Sequence, residues 1–179
     1  MFSFSTLHKN RDEWYTQKKA VDYLMQFLPS PKKCGVIWDP SPGPFGTRNS
    51  ITWLLADKGY DVIVTKEDFM KVDAPPHSNV RLIITNPPFS LKNKFIWKSM
   101  ELGLPYLFLL PLHSLDSEIR CGWWRSYGLQ LFIIPEHLSF TDDNGKSSKC
   151  SFNISWFGWR VTSHNSSLEF LKLIEDDDL

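Results

Sequence analysis

The chain has 179 residues, 15% of them aromatic, and its 20 lysines and arginines balance 20 aspartates and glutamates. That length predicts one domain with an ordinary core. The zero net charge counts against tight, indiscriminate nucleic-acid binding, which usually requires a basic surplus. Three cysteines without metal-ligand spacing are expected to be reduced thiols. No signal-peptide pattern opens the sequence and no apolar run approaches membrane-spanning length, so we expect a cytoplasmic protein.

The first predicted elements are a helix, a strand and a loop. Residues 1–13 are polar and expected to be flexible. Apolar residues recur at helical spacing from Ala20 to Leu28. A strand over 35–38 then ends in Asp39-Pro40-Ser41-Pro42-Gly43-Pro44-Phe45-Gly46, and a helix follows from about 50 to 58. A strand, a loop rich in glycine and proline, and a helix are the general plan of a nucleotide or cofactor loop.

The central motif follows a buried strand over Val80–Thr85. The next residues are Asn86-Pro87-Pro88-Phe89, and two consecutive prolines cannot continue a strand because neither has a backbone N–H. The turn offers an amide side chain, backbone carbonyls and an aromatic face just past the carboxyl end of the strand. Those groups suit an aromatic ring that bears an amino group, because amide and carbonyl oxygens accept hydrogen bonds from the amine and Phe89 can stack on the ring.

The remaining elements complete a predicted α/β fold. After a strand over 61–65 and the central strand, we predict a helix over 91–102, a strand over 106–110, a helix containing Arg120, and a strand over 130–135. A strand over 151–161 is predicted to form an antiparallel hairpin with 130–135 at one sheet edge, and 165–174 a last helix before an acidic tail. The alternation predicts three layers, α/β/α, around a mostly parallel sheet with one antiparallel strand near the C-terminus.

Taken in order, these motifs resemble those of S-adenosylmethionine-dependent methyltransferases that act on adenine N6 in DNA. The similarity covers residues 12–160 and is closest to small enzymes of phages and restriction–modification systems, including the EcoRI type. It implies a Rossmann-like methyltransferase sheet, S-adenosyl-L-methionine as cofactor, no metal, DNA as partner with flipping of the target base, and, for a phage protein, the host-cell cytoplasm as location.

The resemblance also implies roles for individual residues. Catalysis would belong to Asn86, Pro87, Pro88 and Phe89. Cofactor binding would belong to Trp14, Tyr15, Thr16, Asp39, Pro40, Gly43, Asp68, Phe69 and Asn86. The slot whose acid usually holds the cofactor ribose contains Lys66, with Glu67 one position later, so the sequence leaves the ribose ligand open.

Several alternatives stay open. Residues 1–179 offer no separate target-recognition domain, so recognition is expected from short loops, from a homo-oligomer or from a partner chain. The same chemistry could act on RNA adenine or on a protein glutamine, and the fold could also serve as an inactive binding or assembly module. His113 could contact substrate or be structural, and Lys92, Lys94 and Lys98 could meet phosphates or form a solvated helix face.

Overall fold

The computed structural model describes residues 18–41, 50–65, 67–141, 147–149 and 152–174. Its helices are α1 (Lys18–Leu24), α2 (Pro31–Cys34), α3 (Ile51–Asp57), α4 (Lys92–Glu101) and α5 (Glu118–Tyr127). Its strands are β1 (Val36–Asp39), β2 (Val62–Val64), β3 (Val80–Thr85), β4 (Tyr106–Pro111), β5 (Gln130–Ile133), β6 (Ser139–Thr141), β7 (Ser147–Lys149), β8 (Ile154–Trp159) and β9 (Ser167–Phe170). Within these ranges, no helix is long and apolar enough to span a lipid bilayer.

The main sheet confirms the predicted fold class. In the described residues it has seven strands in the order β2-β1-β3-β4-β8-β5-β9. Strand β8 runs antiparallel to both of its neighbours, β4 and β5, while the other pairings are parallel. The result is a mostly parallel sheet with one antiparallel strand near the C-terminus.

Helices cover both faces of this sheet, which gives the predicted three layers. On one face, Leu24 of α1 and Leu55 of α3 pack with strand residues such as Ile84. On the other face, Phe95 of α4 and Trp124 of α5 pack with residues such as Ile83. Because successive strand residues point to opposite faces and both faces are buried, the central strands are apolar almost throughout.

Two predictions about the C-terminal part were wrong. Residues 167–170 form strand β9, which pairs parallel with β5, where a last helix was predicted over 165–174. The backbone of β5 provides the partner groups, and the side chains of β9 alternate between half-buried and exposed positions, the pattern of a strand. The predicted antiparallel pairing of β5 with β8 is present, but it is not at the sheet edge, because β9 pairs with the outer side of β5.

A second, two-stranded sheet lies in the chain between β5 and β8. Strands β6 and β7 pair antiparallel, with Ser139 opposite Lys149 and Thr141 opposite Ser147. Their connection contains Asn144-Gly145, a favoured hairpin dipeptide, but residues 142–146 lie outside the described ranges. This small sheet explains the length of the chain between β5 and β8.

The connection between β8 and β9 is fixed by a buried glutamine. The side-chain oxygen of Gln130 accepts from the backbone N–H of Val161 at 2.7 Å, and its Nε2 donates to Thr162 Oγ1 at 2.6 Å. Gly128 lies beside this connection with φ +92° and ψ 157°, a conformation that is essentially restricted to glycine. A Cβ there would lie 2.1 Å from the backbone oxygen of Asn165.

We therefore expect Gly128→Ala to lower the free energy of unfolding by about 3 kcal/mol or more, through backbone strain and the clash. Gly103→Ala is the matched control: Gly103 also has positive φ, +68°, but nothing lies within 4 Å of its added Cβ. The control should lower stability by only about 1 kcal/mol, from left-handed backbone strain alone. Denaturant unfolding measures both, and equal losses would contradict the close packing of Gly128 on Asn165.

Candidate functional site

The site lies where the strand order changes direction. Strand β1 lies between β2 and β3, so the chain leaves β1 on one side and later returns to its other side. Such a change creates a crevice outside the carboxyl ends of the two strands, where open α/β sheets bind ligands. Asp39 ends β1, and Thr85 ends β3 directly before Asn86. The fold therefore brings the cofactor-loop motif and the central motif to the same edge.

Asp39 joins three elements at this edge. Its carboxylate is 1% exposed and accepts hydrogen bonds from the backbone N–H of Ser41 at 3.1 Å and from Thr52 Oγ1 of α3 at 2.7 Å. The Thr85 hydroxyl donates to the carbonyl of Ser41 at 3.5 Å. Burial raises the pKa of Asp39, although its hydrogen bonds oppose the shift. The Asp39 carboxyl and the Thr85 hydroxyl thus hold the start of the loop against α3 and β3.

Parts of the predicted cofactor site lie outside the described ranges. This applies to Trp14, Tyr15 and Thr16 before α1, to Gly43 in the loop after Ser41, and to Lys66. Pro40 is described and is buried directly after β1. The predicted roles of all these residues stay predictions.

The central motif forms a tight connection between β3 and α4. After Asn86 and the two prolines, residues Phe89–Leu91 make one turn of 3-10 helix, and α4 begins at the next residue. The backbone N–H of Leu91 donates to the carbonyl of Pro88 at 2.8 Å, and Lys92 Nζ donates to the carbonyl of Phe89 at 2.9 Å. Asn86 and Phe89 are half-buried. The predicted strand, stiff turn and helix are therefore all present in the predicted order.

Three ring side chains form an aromatic row beside this turn: Phe89, Phe152 and His113. The ring centroids of Phe89 and Phe152 are 5.9 Å apart, and those of Phe152 and His113 are 5.3 Å apart. Both pairs meet edge to face, at 67° and 84°, an arrangement that aromatic rings favour. Phe152 was predicted as a strand residue, but β8 begins only at Ile154. His113 lies at the exposed end of the row.

Asp68 and Phe69 follow β2 and have different surroundings. Asp68 is exposed, and its Oδ1 accepts from the backbone N–H of Met70 at 3.0 Å. Phe69 is 3% exposed, with ring centroids 5.2 Å from Trp38 and 5.0 Å from Phe95. The structure therefore places Phe69 in the core beneath the edge, whereas the Asp68 carboxylate faces solvent.

The three lysines of α4 also have different surroundings. Lys92 binds the carbonyl of Phe89, and Lys98 forms an ion pair with Glu101 at 3.0 Å. Lys94 is exposed. Across the described ranges, no group of three or more His, Cys, Asp or Glu side chains is arranged to hold a metal ion.

Sequence reasoning missed the threonines that support Asp39. Thr85 is the single polar residue among the buried residues of β3, and Thr52 lies in the first turn of α3, at the other side of the loop. The sequence did contain a signal for Thr85, since a polar residue ends an apolar run at the carboxyl end of a strand. A buried hydroxyl needs a hydrogen-bond partner, so a polar neighbour could have been expected there. Arg120, discussed below, had no comparable signal.

Comparisons with known proteins gave similarities only at the level of structure. No protein-family model and no curated protein sequence matches the chain. Among solved structures, PH1948 from Pyrococcus horikoshii, a proposed RNA methyltransferase, is 14% identical, with a TM-score of 0.45 and 80% of each chain covered. The 23S rRNA methyltransferase ErmE is 11% identical, with a TM-score of 0.47 over 80% of this chain and 68% of its own. The type IIG restriction endonuclease BpuSI is 15% identical, with a TM-score of 0.39 over 79% of this chain and 24% of its own. These similarities are too weak to bear on activity.

Proposed function

We propose that this protein is a methyltransferase that transfers the methyl group of S-adenosyl-L-methionine to the exocyclic N6 amino group of adenine in DNA. The observation that carries the proposal is the position of Asn86-Pro87-Pro88-Phe89 at the carboxyl end of β3, next to Asp39 at the change in strand order. Ligand sites of open α/β sheets lie at this position, and the groups of the turn match an aromatic amine.

The chain's own groups account for the chemistry at the amine. An adenine amino nitrogen is a weak nucleophile because its lone pair is conjugated with the ring. The Asn86 side-chain oxygen and the Pro87 carbonyl can accept hydrogen bonds from the two N–H groups of the amine. These hydrogen bonds favour a pyramidal nitrogen with an available lone pair. Phe89 would stack on the base and hold it for in-line attack. As the C–N bond forms, the bond between the methyl group and the sulfonium sulfur breaks. The nitrogen is then cationic and releases its proton to solvent, so no strong base is needed beforehand.

The edge of the sheet also fits the cofactor. The bound cofactor would supply an electrophilic methyl group on a sulfonium sulfur. Asp39 holds the start of the loop that we propose to lie along the cofactor, and Pro40 and Gly43 belong to the sequence of that loop. The exposed carboxylate of Asp68 can accept a hydrogen bond from an amino group, whereas the buried Phe69 would act mainly by supporting Trp38 and Asp68. Trp14, Tyr15 and Thr16 are proposed to cover the methionine end.

The partner is proposed to be nucleic acid bound through an extruded base. Extruded bases are held between aromatic or apolar side chains, and the aromatic row supplies such a surface beside Asn86. We propose that residues 1–179 form one methyltransferase domain and that a second copy or a partner chain contributes to sequence recognition. RNA adenine is the main alternative substrate, because the row does not distinguish the two sugars.

Calorimetry with S-adenosylmethionine and S-adenosylhomocysteine tests the cofactor part of the proposal. We expect saturable binding of both, with dissociation constants of roughly 1–100 µM, corresponding to about −8 to −5.5 kcal/mol. Asp68→Asn should weaken binding, whereas Asp73→Asn, an exposed aspartate further along the same connection, should not. Absence of binding at millimolar cofactor would contradict the proposal and favour an inactive module that has kept the fold.

A further inference from the structure

A buried arginine connects two segments that border the aromatic row. Arg120 lies in the first turn of α5 and is 6% exposed. Its Nε donates to the carbonyl of Ser114 at 2.6 Å and its Nη1 donates to Asn93 Oδ1 at 2.7 Å. A longer contact of 3.4 Å joins Nη2 to the carbonyl of Asp116. One side chain thus bridges the turn after β4 and the first turn of α4.

The guanidinium group is well suited to such a bridge. It is planar and presents its N–H donors in a rigid fork, so it can fix two acceptors relative to each other. Burial lowers the pKa of Arg120, because removal from water disfavours the charged form. A lysine ammonium is a single point on a flexible stem and cannot hold the same two acceptors in one plane.

The two acceptors of the bridge, Ser114 and Asn93, belong to segments that border the candidate site. The Leu112–Leu115 turn, whose Ser114 carbonyl binds Arg120, carries His113 at the exposed end of the aromatic row. Asn93 is the second residue of α4, which begins directly after the Phe89–Leu91 turn. The bridge therefore links the segment that holds Phe89 to the segment that holds His113.

We propose that Arg120 is a positioning residue that sets the separation between the Asn86–Phe89 turn and the His113 turn, and so the width of the opening through which the target base enters. The inference rests on the proposed function for the identity of the base. Arg120 acts through Asn93 and Ser114 and does not itself contact substrate.

The experiment compares two substitutions of the Asn93 acceptor in the full chain. Asn93→Asp keeps an oxygen that can accept from Nη1, whereas Asn93→Ala removes it. We expect the alanine variant to lose about tenfold in kcat, since displacements of about an ångström in a site have effects of this order or larger. The aspartate variant should retain most of the wild-type kcat, and neither should change the dissociation constant for S-adenosylmethionine.

Arg120→Lys removes the guanidinium donors of the bridge, whereas Asn93→Ala removes an acceptor. It should lower kcat at least as much as Asn93→Ala. Arg125→Lys is the matched control, because Arg125 is an exposed arginine of the same helix. A purely structural role for Arg120 would lower stability without changing the kcat of the folded fraction. Unchanged kcat in Asn93→Ala and Arg120→Lys would therefore overturn the proposal.

Hydrogen exchange separates this inference from the proposed function. In Asn93→Ala and Arg120→Lys, but not in Asn93→Asp or Arg125→Lys, we expect segments 88–92 and 113–117 to exchange faster together. Faster exchange in only one segment, or in neither, would show that Arg120 does not couple them and would overturn the inference. A wild type without transferase activity would instead contradict the proposed function, while the exchange data would still decide the coupling.

Discussion

Asn86→Ala is expected to lower methyl transfer by about 10²–10³-fold, the usual effect of removing one polar group that acts mainly in the transition state. The reason is the loss of the side-chain oxygen that would orient the target amine. Folding should be nearly unaffected, because Asn86 is half-buried in a turn that the two prolines already stiffen. Steady-state kinetics with labelled cofactor measures the effect, and calorimetry checks that the cofactor still binds.

Asn79→Ala is the control for this variant. Asn79 is exposed and lies directly before β3, at the opposite end of the same strand from Asn86. Its substitution should leave transfer within about twofold and stability within about 0.5 kcal/mol of the wild type. Comparable rates for Asn86→Ala and the wild type would contradict the placement of the site at the end of β3.

Asp39→Ala is expected to have the largest effect on stability among changes at the sheet edge. The substitution leaves the Ser41 N–H and the Thr52 hydroxyl without their carboxyl acceptor. Buried donors that lose a partner cost about 1–3 kcal/mol each, although the Thr52 hydroxyl can rotate. We therefore expect a loss of about 2–4 kcal/mol in the free energy of unfolding near pH 4, with a smaller loss at neutral pH, measured by urea unfolding.

The pH dependence follows from the direction of the Asp39 pKa shift. Burial raises the pKa of the carboxyl in the folded state above its unfolded value of about 3.9. The folded state then binds the proton more tightly, so this contribution to stability is fully present below the unfolded pKa. It is lost as the pH rises through the folded-state pKa.

Asp39→Asn removes this titration and keeps an oxygen acceptor. The stability of the wild type relative to Asp39→Asn should therefore fall as the pH rises from about 4 towards 7. Urea unfolding of both proteins across this range gives the difference directly. A difference that stays constant, or that grows with pH, would contradict a raised pKa for Asp39.

The segments at the carboxyl ends of β1 and β3 were predictable because their structure depends on neighbouring residues in the sequence. An apolar run that stops at two prolines has one structural solution, a buried strand followed by a stiff turn. The loop after β1 has the same property, since its prolines lack the N–H that a strand needs and glycine weakens a strand. Parallel strands place all of their carboxyl ends at one edge, so Asp39 and Asn86 were expected at the same edge, whereas the strand order that makes β1 and β3 neighbours comes from the structure.

The wrong predictions concern segments whose structure depends on contacts with residues far away in the sequence. Residues 165–174 have no strong periodicity, and β9 forms because β5 offers a neighbouring backbone to pair with. Arg120 was equally hidden, since an arginine in an amphipathic helix is usually exposed, and only the fold brings Ser114 and Asn93 to it. Phe152 lies in the aromatic row and outside a strand, since β8 begins at Ile154, three residues after the predicted start at 151.

The most direct test of the account is to locate a transferred methyl group. The full chain would be incubated with methyl-labelled S-adenosylmethionine and, separately, with duplex DNA, single-stranded DNA, RNA and a protein lysate, with Asn86→Ala in parallel. Enzymatic digestion and mass spectrometry would then identify the modified unit. We predict label on N6-methyladenine from DNA, and none with the variant. Label confined to RNA adenine or protein would overturn the proposed substrate, and no label in any acceptor despite bound cofactor would contradict methyl transfer at Asn86.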